Sequence, residues 1–582
     1  MTKTLFSRMR SLQWWVLIYM TFGVICDVPA QNASSHEWWK HAIIYEIYPR
    51  SFQDSNADGV GDLNGITQRM QYLQDLGVDA IWIAPMYPSP QVDFGYDISD
   101  YRNVDPQFGT IADFDRLVSE ARKHRVAVIV DMVLNHTSDQ HPWFVAAASA
   151  RANPKHDWYV WSDGKRNANG DIVPPNNWQS VFGGSAWEWV PEVQQFYYHA
   201  YYKQQPDLNW RNPQVEKAMF DVMRFWLDRG VAGFRLDSIS ELFEDPRLRD
   251  APRLEGLNAL GNPQLDPGYT TNLPEIHETI RRMRAMVSAY PGDRVLIGEA
   301  YFPNIAELDK WYGGARHNEI QLPMDLPLGY LNELDANAFR KRLWEVYTQV
   351  HGSTPLLVFD NHDVNRSWDR YGDGVHNVAI AKLIAALLLT SRDTALLYQG
   401  QEIGQRTVEP RRIEDVKDPI GKIHWPVYKG RDGERTPMQW DSDDAQSGFS
   451  TSPHPWLPVP ADYTTVNVRT ELADPRSLLN WYKQLISLRR SNAAVRNGRV
   501  VMLDKTNANV LSYARVAKDG TAVLVALNMS AQPQSVSFHL SEANIRRSHL
   551  TNLMTSPEQD AGSSSVSPVR LAPFGVWIEA VE

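Results

Sequence analysis

Three short segments of this 582-residue chain run apolar residues into a carboxylate. They are Gly233-Phe234-Arg235-Leu236-Asp237, Val295-Leu296-Ile297-Gly298-Glu299 and Leu357-Val358-Phe359-Asp360-Asn361-His362-Asp363. Acids at the C-terminal ends of successive buried strands stand where a (β/α)8 barrel assembles its active site. Two such acids can cleave a glycosidic bond, one attacking the anomeric carbon while the other, still protonated, hands its proton to the leaving oxygen. Retention of configuration needs these carboxyls about 5–5.5 Å apart, inversion roughly 6.5–9.5 Å. Arg235 and Asp237, two apart, leave a strand on one face, so the cation is expected to keep Asp237 ionised as a nucleophile. Glu299 follows Gly298 in an apolar run, where desolvation raises a carboxyl pKa and keeps it an acid. One buried carboxylate alone is more often a structural salt bridge; three at matched strand ends point to catalysis.

The elements needed to hold these acids are legible as a repeating pattern. Apolar β-rich runs fall near 43–48, 80–83, 126–132, 233–236, 295–297, 319–322, 356–359 and 395–398. Between the second and third, Phe114, Leu117, Val118 and Ala121 lie at i, i+3, i+4 and i+7, one face of a helix. Eight strands alternating with helices predict an α/β fold, a parallel (β/α)8 TIM barrel. The spacing breaks at 137–205, a long stretch of Trp, Tyr, Asn, Pro and Gly, read as a small domain inserted after strand 3. A second irregular stretch, 243–271, follows Asp237 and is expected to add another wall. The barrel therefore occupies 31–136 and 206–495. After a helix near 478–490, short alternating runs such as 500–503 and 522–527 predict a C-terminal antiparallel β-domain over 496–582.

Composition narrows the partners. A net charge of −11, with no basic stripe and no Gly-rich phosphate loop, argues against nucleic acid. The 21 Trp and 24 Tyr suit sugar faces but equally fill cores. Lys3, Arg8 and Arg10 precede an apolar stretch over 14–25 and the small-residue site Val28-Pro29-Ala30, so 1–30 reads as a signal peptide cleaved after Ala30. That stretch is shorter than the roughly 20 residues a bilayer span needs, so no permanent membrane span is expected. Export places the protein in the periplasm or the medium. Cys26 is the only cysteine, and the preceding Gly23-Val24-Ile25 fits a lipoprotein signal poorly; the mature chain is expected to lack disulfides.

Asp131-Met132-Val133-Leu134-Asn135-His136, Gly233–Asp237, Gly298-Glu299 and Asn361-His362-Asp363 resemble the four signature segments of the α-amylase superfamily, glycoside hydrolase family 13. Gln205-Pro206-Asp207-Leu208-Asn209-Trp210 and the run from Arg431 to Trp440 are similar to segments of its α-glucosidase and oligo-1,6-glucosidase branch. The resemblance runs from about residue 36 to the C-terminus. It implies Asp237 as nucleophile, Glu299 as acid/base and Asp363 as a third carboxylate gripping sugar hydroxyls. It implies substrate-binding roles for Asp93, Tyr96, His136, Arg235, His362 and Arg431, with Arg431 preferred over Arg435 as the arginine that closes the pocket. Phe94 departs from the family pattern, where Asn usually stands, and the departure is expected to matter little. The implied enzyme is an exo-acting retaining α-glucosidase acting on short oligosaccharides.

Asp54-Ser55-Asn56-Ala57-Asp58-Gly59-Val60-Gly61-Asp62 alternates oxygen-bearing side chains with small residues, as a loop for a hard cation does. It is similar to half an EF-hand, without the closing Glu. By the resemblance, Asp54, Asn56, Asp58 and Asp62 with the Val60 carbonyl hold a structural Ca²⁺, or Mg²⁺; no organic cofactor is expected. In relatives a small residue after the nucleophile, here Ser238, goes with α-1,4 substrates such as maltose, an effect of about 1–3 kcal/mol. The enzymatic rival is a transglucosidase or sucrose isomerase on the same scaffold. The isomerases' Arg-Leu-Asp-Arg-Asp run is absent between 301 and 360. The non-catalytic rival resembles transporter heavy chains, which need a full membrane span and in the best-known case have lost catalytic acids.

Overall fold

The computed structural model describes residues 37–581 except 259, 301, 303, 351–352, 444–445, 539, 546–548 and 557–567, and the side chain of 542. The export signal assigned to 1–30 lies outside the described residues. Eight parallel strands close into a barrel: β1 (Ile43–Ile47), β2 (Ala80–Ile83), β3 (Ala127–Val133), β4 (Gly233–Asp237), β5 (Val295–Gly298), β6 (Leu322–Asp325), β7 (Leu356–Val358) and β8 (Thr394–Tyr398). They pair in chain order and β8 returns to β1, Ile43 opposite Ala395.

Strand alternation builds the site from below. Ile44, Trp82, Ile129, Ile297, Val358 and Leu396 pack together inside the barrel, while Ile43, Tyr45, Ile81 and Val128 face the surrounding helices. Two residues further along the inward register stand Glu46, Asp131, Glu299 and Asp360, with Arg235 and Asp237 on β4. The interior thus changes from apolar to charged at the C-terminal mouth. β4 and β5 approach so closely that a Cβ on Gly233 would lie 2.0 Å from the Val295 carbonyl oxygen, which reserves that position for glycine.

The helix expected around Phe114 spans Ile111–Lys123 and starts with a Thr110–Asp113 capping box. The sixth strand is displaced: 319–322 was expected and Leu322–Asp325 is found. Gln321 explains the shift, because its side chain accepts from the Leu296 N–H (2.9 Å) and donates to the Arg294 carbonyl (2.8 Å), substituting for ladder bonds. Glu319 bonds His277 and Arg281 on the outer helix instead.

Within 137–205, Gln195–Tyr198 pairs with both Trp161–Ser162 and Trp187–Val190. Trp178, Trp187 and Tyr198 form its aromatic core, and Leu208 N–H bonds the Asn135 carbonyl, fastening its exit to the end of β3. The stretch 243–271 contains a hairpin of Arg253–Leu257 and Pro263–Leu265. Beyond the helix Leu478–Ser491, strands Arg499–Met502, Val510–Val516, Ala522–Asn528, Val576–Val581 and Leu550–Thr555 form an antiparallel sheet. Arg515 joins it to the barrel through the Ser391 carbonyl (2.6 Å).

Candidate active site

One guanidinium organises the floor of the barrel mouth. Arg235 is fully buried over Trp82, and its Nη1 bonds Asp237 Oδ1 at 2.7 Å and Asp131 at 3.1 Å. Its Nη2 lies 2.6 Å from Glu299 Oε2, an ion-pair contact without hydrogen-bond alignment. Asp237 and Glu299, ending adjacent strands, therefore meet across one cation. Just beyond Asp237, Ser238 sits in the left-handed region at φ 47°, a conformation uncommon for serine and typical of functional turns. Its N–H donates to Glu299 Oε2 (3.2 Å) and its Oγ accepts from Tyr201 (2.6 Å).

Burial raises both acids to about 7, against the pull of Arg235. Arg235 was expected to keep Asp237 ionised; desolvation works against it, because the one cation is shared among three carboxylates. The pair titrates as a unit. The aligned Arg235 bond favours charge on Asp237, which leaves the last proton on Glu299.

Asp363 is held below the ordinary carboxylate range: burial opposes this, and His362, Arg431 and Arg435 overcome it. His362 is itself pushed down to about 3 by burial, so near neutrality the two arginines supply the positive field. His362 Nδ1 lies 2.6 Å from Glu46 Oε1 and its Nε2 lies 2.7 Å from the Tyr96 hydroxyl, with the Tyr96 ring stacked on it at 5.4 Å. Burial lifts Glu46 far above the carboxylate range. A protonated Glu46 donates to Nδ1, Nε2–H donates to Tyr96, and Tyr96 donates to Asp131 (3.1 Å).

The far wall is a second ion-pair cluster. Arg431 bonds Asp93 (2.7 Å), Asp363 (3.1 Å) and Asp418, which takes both its Nε and its backbone N–H at 2.8 Å. Arg435 also reaches Asp363 (2.8 Å), but it is the more buried and additionally holds the His362 carbonyl. Gln205 donates to Asp93 (3.1 Å) and His136 Nε2 (3.0 Å), and burial lowers His136 to about 4, keeping it neutral. Asp93, Tyr96, His136, Asp237, Glu299, Asp363 and Arg431 line one cavity of about 1200 Å³, while Arg235 and His362 support them from beneath.

Sequence reasoning passed over Glu46, Asp418 and Tyr201, and marked Gln205 only as part of a segment, without a role. Glu46 had a signal, two places beyond Ile44 on the inward register of β1; nothing in the sequence marks Asp418.

A model of the alpha-amylase catalytic domain matches residues 46–498. The chain belongs to the alpha-amylase family. It is 42% identical over 516 residues to a "Probable alpha-glucosidase" of Rhizobium meliloti (strain 1021), covering 85% of this chain and 90% of the relative. It is 37% identical over 519 residues to an "Oligo-1,6-glucosidase" of Parageobacillus thermoglucosidasius, covering 84% and 90%. Among solved structures, an alpha-glucosyl transfer enzyme superposes with TM-score 0.85 at 38% identity, over 94% of this chain and 99% of that one. A trehalulose synthase superposes with TM-score 0.85 at 34% identity, over 94% and 100%. The protein is a glycoside hydrolase of this family.

Two features of this alpha-amylase family member bear on the pocket's support. Phe94 has φ 47°, a left-handed conformation that suits Asn better, and it packs on Trp456 (5.5 Å) and Arg50 (5.2 Å). The loop 54–62 folds by successive Asx turns: Asp54 accepts from Asn56, Ala57 and Gly59, Asn56 from Asp58, and Asp58 from Val60. Asp62 caps the next helix at Gly65 and holds Ser55. Among the described residues no three Asp, Glu, His or Cys side chains gather as a metal group. Three carboxylates, one amide and the Val60 carbonyl nevertheless give the all-oxygen donor set a hard cation takes, so the fit is one of chemistry rather than preformed geometry. Among the described residues no helix is long and apolar enough to cross a membrane.

Proposed function

We propose that this protein is an exo-acting, retaining α-glucosidase that releases terminal glucose from short α-glucosides, with α-1,4 linkages such as maltose preferred. The observation that carries this reading is the Asp237–Arg235–Glu299 arrangement in a cavity that the Asp93–Arg431 ion pair also lines, a pair that in this reading closes the glucose end. A sealed end admits one terminal sugar ring. Asp237 attacks C1 while Glu299 protonates the glycosidic oxygen, giving a covalent β-glucosyl-Asp237 intermediate and a neutral leaving alcohol. Glu299, now ionised, takes a proton from water, whose oxygen displaces Asp237 and restores the starting charges. Asp363, kept anionic by Arg431 and Arg435, is placed to hold sugar hydroxyls and to favour the oxocarbenium-like transition state.

The linkage preference rests on the small Ser238 beside the nucleophile, reinforced by its bond to Tyr201. Transfer to a sugar hydroxyl shares every step up to the intermediate, and the similarity to an alpha-glucosyl transfer enzyme and a trehalulose synthase supports it as the second reading. The 54–62 loop would hold a structural Ca²⁺, or Mg²⁺, through Asp54, Asn56, Asp58, the Val60 carbonyl and Asp62. Export to the periplasm or medium rests on residues 1–30.

Product analysis on maltose, isomaltose, sucrose and trehalose tests the reading. α-Glucose as the first-formed product on 4-nitrophenyl α-glucoside, which releases a single glucose, is expected, together with a glucosyl adduct on Asp237 trapped by a slow fluoroglucoside. β-Glucose as first product overturns retention, and an adduct elsewhere overturns Asp237. Isomaltulose or trehalulose from sucrose, in place of glucose and fructose, overturns the choice of hydrolysis.

A further inference from the structure

The lining of the cavity includes an acid that the reaction does not use. Glu241 lies one turn beyond Ser238, in the short helix Ile239–Glu241, and lines the same cavity as Asp237 and Glu299. Its Oε2 accepts from Ser240 (2.8 Å), the Thr271 hydroxyl also reaches it, and Asn135 holds its carbonyl (2.7 Å). Glu299 and Asp237 are the nearest charges, both negative, and Asp207 and Glu244 lie behind it. The basic side chains of this wall have other partners: Lys310 pairs with Glu307 (2.6 Å), and His277 bonds Glu319 (2.7 Å). Asp266 adds another carboxylate to the lining. Among the described residues no basic side chain pairs with Glu241. Glu299 must face the leaving oxygen, and Glu241, in the same cavity, feels the charge of Glu299 ahead of that of Asp237, which assigns it to the aglycone side.

We propose that Glu241 is a specificity-determining residue for the departing group: it hydrogen-bonds neutral hydroxylated aglycones, admits ammonium-bearing ones and discriminates against those carrying negative charge. The inference rests on the α-glucosidase reading. Burial, then Ser240 and the two catalytic acids, set Glu241 at about 8, so it both donates and accepts near neutrality and repels anions above that. An anionic leaving group would meet Glu241, Asp266 and Glu307 without a free cation, whereas an ammonium group would pair with the first acid it met.

The test compares kcat/KM for maltose or isomaltose, whichever is cleaved, with that for the corresponding aldonic acid and for the 2-amino analogue of the leaving glucose. Wild-type enzyme is expected to disfavour the aldonic acid by about tenfold or more, and the ratio should widen as pH rises through 8. Glu241→Gln should bring that ratio to within about threefold and flatten its pH dependence, while Glu241→Lys should reverse the order of the acidic and amino substrates. Ratios unchanged in the glutamine variant overturn the inference and leave the α-glucosidase reading standing. A folded wild-type enzyme that cleaves neither neutral sugar overturns that reading and the inference with it.

Discussion

The two ends of the cavity are built on opposite principles. At the glucose end every charge is pinned by an opposite one: Asp93, Asp363 and Asp418 around Arg431, Asp363 again on Arg435, and Asp131, Asp237 and Glu299 around Arg235. At the aglycone end Glu241 stands without a cation among the described residues, in a short helix beyond the strand end rather than in the strand. Pinned charge costs desolvation but fixes geometry, which suits a subsite that must always hold the same ring. Loosely held polar groups suit a subsite that accepts varied leaving groups. Damage at the first end should therefore abolish turnover, and damage at the second should only redistribute it.

The sharpest break is Asp237→Asn, which removes the attacking oxygen while preserving shape; kcat/KM should fall by about 10⁴-fold or more on every substrate. Glu299→Gln should cost about 10²–10⁴-fold on maltose but far less on 4-nitrophenyl α-glucoside, whose leaving group needs no proton. Equal losses on the two substrates would mean that Glu299 is not the proton donor. Asp418→Asn touches no substrate atom yet removes the charge and one of the two acceptor oxygens that hold Arg431; it should raise KM about tenfold with a smaller change in kcat, and leave the aglycone preference of Glu241 unaltered. If Asp418→Asn instead shifted aglycone preference, the two ends would not be separable.

Much of this was legible in the chain because the chemistry sits at strand ends, and strand ends are where apolar runs stop. Asp237, Glu299 and Asp363 announce themselves that way, and seven of the eight strands fall within two residues of where alternation puts them at each end. The sixth was misread because Ile320 and Leu322 continue the apolar pattern while the Gln321 side chain, not the backbone, makes the bonds. Asp418 was illegible because its partner Arg431 is thirteen residues on, across the short helix Pro419–His424 and a turn, a separation that no strand or helix period links. Phe94 was judged a neutral departure; its left-handed backbone and its seat on Trp456 make it a strained position braced by an aromatic neighbour. The sharing of Arg235 among Asp131, Asp237 and Glu299 was not legible, because the strand pattern shows Arg235 beside Asp237 but not which other acids it meets.

The buried pair also ties activity to stability. Glu299 rises from an ordinary value near 4.5 to about 7, chiefly by burial, so its protonated form is the one the fold prefers. A carboxyl raised in the folded state adds stability that is full below its unfolded pKa and is lost as pH climbs through 7. The shift corresponds to at most about 3 kcal/mol. Between pH 5 and pH 8 the wild-type Tm should fall, and Glu299→Gln should lose less of it. A variant that loses as much as wild type would place the buried proton elsewhere.

The smallest expected effect tests the support of the glucose end. The 54–62 loop reaches the pocket through Trp456 and Arg50: Trp456 N–H bonds the Gly59 carbonyl (2.9 Å), its Nε1–H bonds Ser51 (2.9 Å), and its ring packs on Tyr48 and Phe94, next to Asp93, while Gly61 N–H bonds the Arg50 carbonyl (2.9 Å). A cation held by this loop would stabilise the fold by about 2.7 kcal/mol at a hundredfold excess over its Kd, a shift of only a few degrees in a chain this long. EDTA should lower Tm by that amount and Ca²⁺ should restore it, with Asp58→Asn insensitive to both. Because the relay ends at Asp93, the KM for maltose should rise modestly on chelation, while the ratio between anionic and neutral aglycones stays fixed. A Tm indifferent to EDTA would remove the cation from the loop and leave its Asx turns as the whole support.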